Sequence, residues 1–296
     1  MREAYAAIAQ RLRSGVPFAA ATLLETRHAK PALPGTSIVV DADGSFIGNI
    51  GAGCHEGELI ETALAALERG EERVVEFSLD DEVLDGSVCG ATLSAAVWLP
   101  SEPFLETADA IVRGEKTVRF SCAGQEIEIA PLRRLIVVGA TLLASHVAAI
   151  ARSCDFEVTL MDPRPPFATR ERHPHAGRIL VAWPQDELPR LLSSADAVVI
   201  IAHDAKIDMP AIRCALASPV PYIGVLGSRR AQRARAALLS GEGYTAEVLA
   251  RIHGPAGLDL GATFNAQTAC SIVAEMLAVL NARSGAPLRL GDTAIH

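Results

Sequence analysis

The sequence predicts an α/β protein: a C-terminal Rossmann-like domain, built on a doubly wound parallel sheet, follows a smaller N-terminal α+β domain. Three observations carry that expectation. Leu135-Ile136-Val137-Val138 is an unbroken, mostly β-branched run that suits a parallel strand covered on both faces, and it stops at Gly139. Leu142 to Ala151 is apolar at almost every position, as a helix pressed on a sheet requires, and Phe156 to Met161 reads as the next strand. Beyond this βαβ unit, apolar strand-like runs alternate with helical patterns.

A length of 296 residues favours two domains, each able to bury its own core. Pro131, just ahead of the βαβ unit, sets the expected boundary, giving domains of 1–131 and 132–296. The chain opens on an amphipathic helix with Tyr5, Ile8 and Leu12 on one face, which reads as a helix and not as a signal peptide. Ala19 to Glu25 is strand-like. Ser37 to Val40 and Ser45 to Ile50 form a hairpin about Asp41-Ala42-Asp43-Gly44, where Asp-Gly is the turn signal. The second arm runs into Gly51-Ala52-Gly53-Cys54-His55-Glu56-Gly57, and a helix bearing Leu59, Ile60, Ala63 and Leu67 follows, with Gly70 as its stop. Arg73 to Leu79 is a strand, Asp80 to Gly90 an acidic loop ending in Cys89-Gly90, and Thr92 to Leu99 a strand again. Pro103 to Val112 is helical and Thr117 to Ile129 a hairpin about Ala123-Gly124.

In the second domain, loop is expected from Arg164 to Pro174, with His173-Pro174-His175 at the surface. Strands then fall at Arg178 to Ala182, Ala197 to Ala202 and Tyr222 to Gly227, and helices at Asp186 to Leu192 and Met209 to Leu216. An arginine-rich helix opens at Ser228, residues 251–261 form a rigid glycine-proline loop, and Thr268 to Asn281 is the last amphipathic helix.

Composition narrows the function. No apolar run is long enough to span a bilayer, so no membrane association is expected. The formal charge is -8, which argues against bulk nucleic-acid binding. Of 27 basic side chains only Lys30, Lys116 and Lys206 are lysines, so cationic roles fall to guanidinium groups. Six cysteines without a C-x-x-C pair point to free thiols in a cytoplasmic, reducing setting.

Two kinds of chemistry stand out. Cys54 lies between glycines and the start of a helix, a setting that favours thiolate and hence a nucleophile, a sulfur carrier or a soft metal ligand. Glu56 is an adjacent candidate for proton transfer, and Cys89 repeats the arrangement, whereas Cys122, Cys154, Cys214 and Cys270 read as core. On the second domain, the turn Gly139-Ala140-Thr141 enters a helix N-terminus suited to phosphate, and Asp162 ends the second strand where a carboxylate would bond a ribose hydroxyl. Thr141 carries a Cβ where G-x-G-x-x-A has its second glycine. His203-Asp204 stands at a strand end, and Gly227-Ser228-Arg229-Arg230 crowds guanidinium groups onto a helix start that a bound anion would balance.

Taken in order, these stretches resemble the xanthine dehydrogenase accessory factor family (XdhC/CoxI). The resemblance is carried by Ala52-Gly53-Cys54-His55-Glu56 against the family's Gly-Gly-Cys-x-Glu, Cys89-Gly90, Asp162-Pro163-Arg164, His203-Asp204, Gly227 to Arg230, and Pro255 to Gly261 with Gly257 and Asp259. It departs at Ala52, at Thr141 and at Thr263-Phe264-Asn265. What the resemblance implies is a non-enzymatic chaperone, homodimeric, that binds the molybdenum cofactor as molybdopterin or its cytidine dinucleotide form. Such a protein protects the cofactor while a cysteine desulfurase sulfurates it and delivers it to a molybdenum hydroxylase. Cys54 would then lie near molybdenum or receive sulfur, while the Gly139 turn, Arg164, Arg229 and Arg230 hold a phosphate. The βαβ unit with Asp162 keeps two alternatives open: an NAD(P)-dependent oxidoreductase, and a nucleotide-sensing scaffold. The absence of a Tyr-x-x-x-Lys pair counts against the former.

Overall fold

Residues 1–27, 33–50, 56–78 and 92–290 are described by the structure, a computed structural model. The chain divides into two units, Met1–Leu132 and Arg133–Gly291. Among the described residues, no helix is long and apolar enough to cross a membrane.

The first unit begins with α1 (Arg2–Ser14), whose apolar stripe buries Tyr5 and Ile8 and which ends at Gly15 in the left-handed conformation. Then come β1 (Phe18–Arg27), β2 (Ser37–Asp41), β3 (Phe46–Gly48), α2 (Glu56–Arg69), β4 (Arg73–Ser78) and β5 (Thr92–Trp98). A 3-10 turn (Glu102–Phe104) leads into α3 (Leu105–Arg113), and β6 (Val118–Cys122) with β7 (Gln125–Ile129) closes the unit. The five longer-range strands form one antiparallel sheet in the order β3-β2-β1-β5-β4, and β6 pairs only with β7. Alternation along β1 explains why the sheet is covered twice. Ala20 faces Tyr5, Ile8, Trp98 and Phe120, whereas Ala19, Ala21 and Leu23 face Leu59 and Ala63 of α2. The Asp41–Gly44 turn forms as its residues require: Gly44 takes φ +83° and donates to the Asp41 carbonyl at 2.9 Å.

Inside this unit runs a chain of buried hydrogen bonds. Trp98 Nε1 donates to the Thr22 hydroxyl at 2.9 Å, Thr22 lies 2.9 Å from the Ser37 hydroxyl, Ser37 donates to Tyr5 at 3.2 Å, and Tyr5 donates to the Gly35 carbonyl at 2.8 Å. Trp98 can only donate and the Gly35 carbonyl can only accept, so the three hydroxyls between them pass donation from the indole toward the carbonyl. Burial pushes the Tyr5 hydroxyl far above its ordinary pKa, so it stays a donor.

The second unit opens with β8 (Arg133–Val138), α4 (Leu142–Ser153) and β9 (Phe156–Met161), as the apolar pattern requires. It continues through β10 (Arg178–Leu180), α5 (Pro184–Leu192), β11 (Ala197–Ile200), α6 (Ala205–Leu216), β12 (Tyr222–Val225), α7 (Arg229–Gly241), α8 (Ala246–Leu249), β13 (Ile252–His253) and α9 (Asn265–Leu280). Six parallel strands stand in the order β10-β9-β8-β11-β12-β13, the 3-2-1-4-5-6 arrangement of a doubly wound nucleotide fold. One face of the sheet packs on α4 and α9, through Val147, Ala148, Ile272 and Met276. The other packs on α5 and α6 through Leu188, Ile207 and Ile212. Strand order reverses between β8 and β11, where Ile200 pairs with Val138, and that reversal opens the crevice at the carboxyl ends. The short α8 and the two-residue β13 were not expected within their glycine-rich surroundings.

Tyr5→Phe is expected to cost about 1 kcal/mol by urea denaturation, because Ser37 lies 3.1 Å from the Gly35 carbonyl and can replace the lost donor. A loss above about 3 kcal/mol would show that the Gly35 carbonyl is left without a substitute.

Candidate functional site

The crevice is shaped first by Gly139. It adopts φ +107°, and a Cβ there would lie 2.4 Å from the Cα and nitrogen of Ala202, the residue that follows β11 by two. Glycine is therefore needed for the ends of two central strands to meet, rather than to admit a pyrophosphate. The next residue, Ala140, is fully buried, and its N–H donates to Asp162 Oδ2 at 2.7 Å. Thr141 caps α4, its hydroxyl accepting from the Ala144 N–H at 3.3 Å, which is why threonine serves where a second glycine was expected.

Asp162 corrects an expectation. Its side chain is 0% exposed, and besides Ala140 it accepts from the Arg164 N–H and Nε at 2.9 Å and from Arg164 Nη2 at 2.7 Å. The carboxylate that was to bond a ribose hydroxyl is sealed inside, bracing the turn and the guanidinium. Burial alone would raise its pKa, but the hydrogen bonds from Arg164 and from the two backbone amides hold it below the usual carboxylate range.

The same device recurs one strand away. Asp208, in the first turn of α6, accepts from the Ala202 N–H and from Arg235 Nη2, each at 3.2 Å, and Arg235 Nη1 donates to the Leu226 carbonyl at 2.7 Å. Here burial outweighs the Arg235 charge, and the Asp208 carboxyl is pushed above its ordinary value. So each strand flanking the reversal ends in a loop amide gripped by a buried aspartate, which is in turn gripped by an arginine. Sequence reasoning missed Asp208 and Arg235; the available signal was a second acid four residues after the Asp204 cap.

His203 sits between these clamps, exposed and held at φ +58°, and Asp204 caps α6 by accepting from the Lys206 N–H at 2.9 Å. A left-handed histidine at a strand end is a strained position. Gly227 takes φ +138°, Ser228 caps α7 by accepting from the Ala231 N–H at 3.2 Å, and Arg229 and Arg230 are exposed on its first turn, as the residue pattern predicts.

Further positions differ from expectation. Gly257 serves packing: a Cβ would lie 2.4 Å from Ser271 Oγ, and its N–H is spent on Glu275 Oε2 at 2.8 Å. Glu275 also accepts from Tyr222 at 2.6 Å and lies 3.6 Å from His253 Nδ1, a cluster assembled from three separate elements that no local pattern marks. Asp259 is exposed nearby in the chain. His173 is 1% exposed rather than on a surface loop, because its Nε2 bonds the Phe167 carbonyl at 3.1 Å. Cys270 is exposed and not core, since it lies on the outer side of α9 between buried Ala269 and Ser271. Burial pushes the Cys122 thiol up to about 12 and raises those of Cys154 and Cys214, so none of these three is poised as a thiolate. Gly53, Cys54 and Cys89 lie outside the described residues. Glu56 begins α2, and its Oε1 is buried with no hydrogen-bond partner among the described residues. Among the described residues, no group of histidine, cysteine and acidic side chains is arranged to hold a metal ion. What the crevice offers a ligand is donors and positive charge, an arrangement for binding an anion.

Comparison with known proteins gives these features a context. Residues 135–276 match the model of the XdhC Rossmann domain, and residues 11–78 match that of the XdhC and CoxI family. The chain is 27% identical over 272 residues to the uncharacterized protein YqeB of Escherichia coli K12, covering 91% of this chain but only 44% of that protein. It is 22% identical over 290 residues to the molybdenum cofactor insertion chaperone PaoD of the same strain, covering 90% of this chain and 85% of PaoD. In fold it is similar to the crystal structure of a xanthine dehydrogenase from Bacillus halodurans, with a TM-score of 0.75 at 20% identity, over 95% of this chain and 97% of that one.

The two aspartates are expected to act oppositely on stability. Asp162, with its folded pKa lowered, contributes stability that is present above about pH 4 and lost as pH falls through the folded value. Asp208, with its folded pKa raised, instead costs stability as pH rises from about 4 through its folded value. Denaturation at a series of pH values should find Asp162→Asn less stable by on the order of 3 kcal/mol at pH 7, with a flatter acid limb. Asp208→Asn should make stability rise more steeply with pH from about 4 upward. Parallel shifts in the two variants would contradict the assignment.

Proposed function

Since the chain belongs to the XdhC and CoxI family, we propose that it binds the molybdenum cofactor as cargo and inserts it into a molybdenum hydroxylase of the xanthine dehydrogenase type. What carries this reading is the likeness to PaoD, which runs through both units of the chain. The cargo is a phosphate-bearing pterin, as molybdopterin or as its cytidine dinucleotide, held while a cysteine desulfurase sulfurates the metal centre. The setting is cytoplasmic, and the working form is a homodimer.

The residues suit that cargo in two places. In the second unit, Arg164, His203, Ser228, Arg229 and Arg230 offer side-chain donors to an anionic tail, whereas Gly139, Ala140 and Thr141 spend their N–H groups inside the protein, and Asp204 and Gly227 shape the loops that carry these donors. Cys54, next to Gly53, is the thiol proposed to handle molybdenum or sulfur, with Cys89 as a second thiol. Glu56 Oε1, buried without a partner among the described residues, is an acceptor in want of a donor, and a reduced pterin supplies N–H groups. Gly257 and Asp259 act through the loop ahead of α9.

The NAD(P)-dependent oxidoreductase reading suits the same residues less well. The Ala140 N–H that would face a pyrophosphate is spent on Asp162, and Asp162 has no oxygen left for a ribose. Native mass spectrometry of the protein produced beside its client oxidoreductase tests the proposal. A pterin mass is expected on the parent chain, and Cys54→Ala should lose most of that cofactor or of the client's sulfuration. Nucleotide without pterin would favour the sensing scaffold, and hydride transfer from bound NADH would revive the dehydrogenase.

A further inference from the structure

The segment between β9 and β10 carries a group of side chains of which the proposed function uses only Arg164. The Arg164 guanidinium lies over the Phe167 ring, 4.3 Å from its centroid, and that of Arg172 lies 5.7 Å from the same centroid. Phe167 is 40% exposed and belongs to none of the buried apolar clusters, so its ring is open to a ligand. Yet the segment is pinned at both ends. The buried His173 ring holds the Phe167 carbonyl through Nε2 at 3.1 Å, and the Ser145 hydroxyl, in the first turn of α4, donates to the Arg172 carbonyl at 3.1 Å. Two guanidinium groups and an exposed ring are thus fixed next to the helix start that follows Gly139.

The acids around them are already engaged. Asp162 is filled by Ala140 and by Arg164 itself, Asp208 by Ala202 and Arg235, and Asp204 Oδ1 by the Lys206 N–H. Asp204 and Asp208 also act on Arg164, so that this guanidinium alone would make a weak anion site. Arg172 supplies the second positive charge. A Rossmann site that reads a ribose diol turns a carboxylate toward the ligand, whereas one that reads a phosphate turns an arginine toward it. Here the carboxylate is inside and the guanidinium, with 33% of its side chain exposed, is outside.

We propose that Arg164, Phe167 and Arg172 form a reader for a phosphate monoester, with His173 as the residue that positions it. Guanidinium groups grip a phosphate through paired donors, and the ring on which both lie keeps the forks in place before the ligand arrives. The inference rests on the proposed function only in naming a phosphorylated cargo; the reader would serve any phosphate monoester of suitable size.

Isothermal titration of the full chain with cytidine 5′-monophosphate, cytidine and inorganic phosphate tests this. The monophosphate is expected to bind at least tenfold more tightly than cytidine, and inorganic phosphate is expected to compete with it, which identifies the phosphate group as what is read. Arg172→Gln and Phe167→Ala, both at exposed positions, should weaken the monophosphate about tenfold with unchanged thermal midpoints, and Arg164→Ala should weaken it further while lowering the midpoint. Equal binding of cytidine and its monophosphate, no binding of either, or an unchanged affinity in Arg172→Gln would overturn the proposal. Pterin content read on the same parent protein separates the two ideas. Phosphate binding without pterin leaves the reader standing and removes the cargo, whereas pterin on a chain whose Arg172→Gln variant binds the monophosphate normally removes the reader alone.

Discussion

The ends of β8 and β11 lie so close that a Cβ on Gly139 would fall 2.4 Å from the backbone of Ala202, and the rest of the second unit's crevice follows from that approach. Two loops leaving adjacent strands at this distance cannot both turn their amides toward a ligand. One amide of each is instead drawn inward, Ala140 to Asp162 and Ala202 to Asp208, and each carboxylate needs an arginine to remain charged inside the protein. The crevice is therefore rigid before anything binds, and its inner acids are consumed by the protein itself.

This changes what the fold is suited to do. A doubly wound sheet in the 3-2-1-4-5-6 order ordinarily presents a glycine-rich turn to a pyrophosphate and an acid to a ribose. Here the turn is closed by a threonine cap and the acid is internal, so the fold keeps its architecture while the ligand-facing chemistry becomes cationic. Arg164 belongs to both layers: two of its nitrogens brace Asp162, and the rest of the guanidinium covers Phe167. A carrier that must hold an anionic cargo and release it to another protein is served by such a surface, which offers electrostatic grip without enclosing the ligand.

Much of this was legible in the residues. The β-branched run ending at Gly139, the apolar faces of α4 and α9, the Asp-Gly turn after β2 and the Ser228 cap all express local periodicity or turn chemistry, and these act within a few residues. Other features depend on partners far along the chain. Asp162 looked like a ligand residue because its position at a strand end is readable, whereas its burial depends on Ala140, 22 residues away. His173 read as surface because its neighbours are prolines, basic residues and histidine, and only the folded loop brings the Phe167 carbonyl to it. Asp208 and Arg235 are separated by 27 positions, and only the place of Asp208 four residues after the Asp204 cap hints locally at the pairing. Cys270 reads as core because α9 is rich in apolar residues, which weakens the periodicity that would mark its outer face.

A crevice with this chemistry is suited to an anionic pterin rather than to a nicotinamide dinucleotide. Equilibrium dialysis of the full chain against molybdopterin in one cell and NADH in another tests it most directly. Molybdopterin is expected to be retained in stoichiometric amount, with NADH passing through unbound. Retention of NADH with free passage of molybdopterin would contradict it.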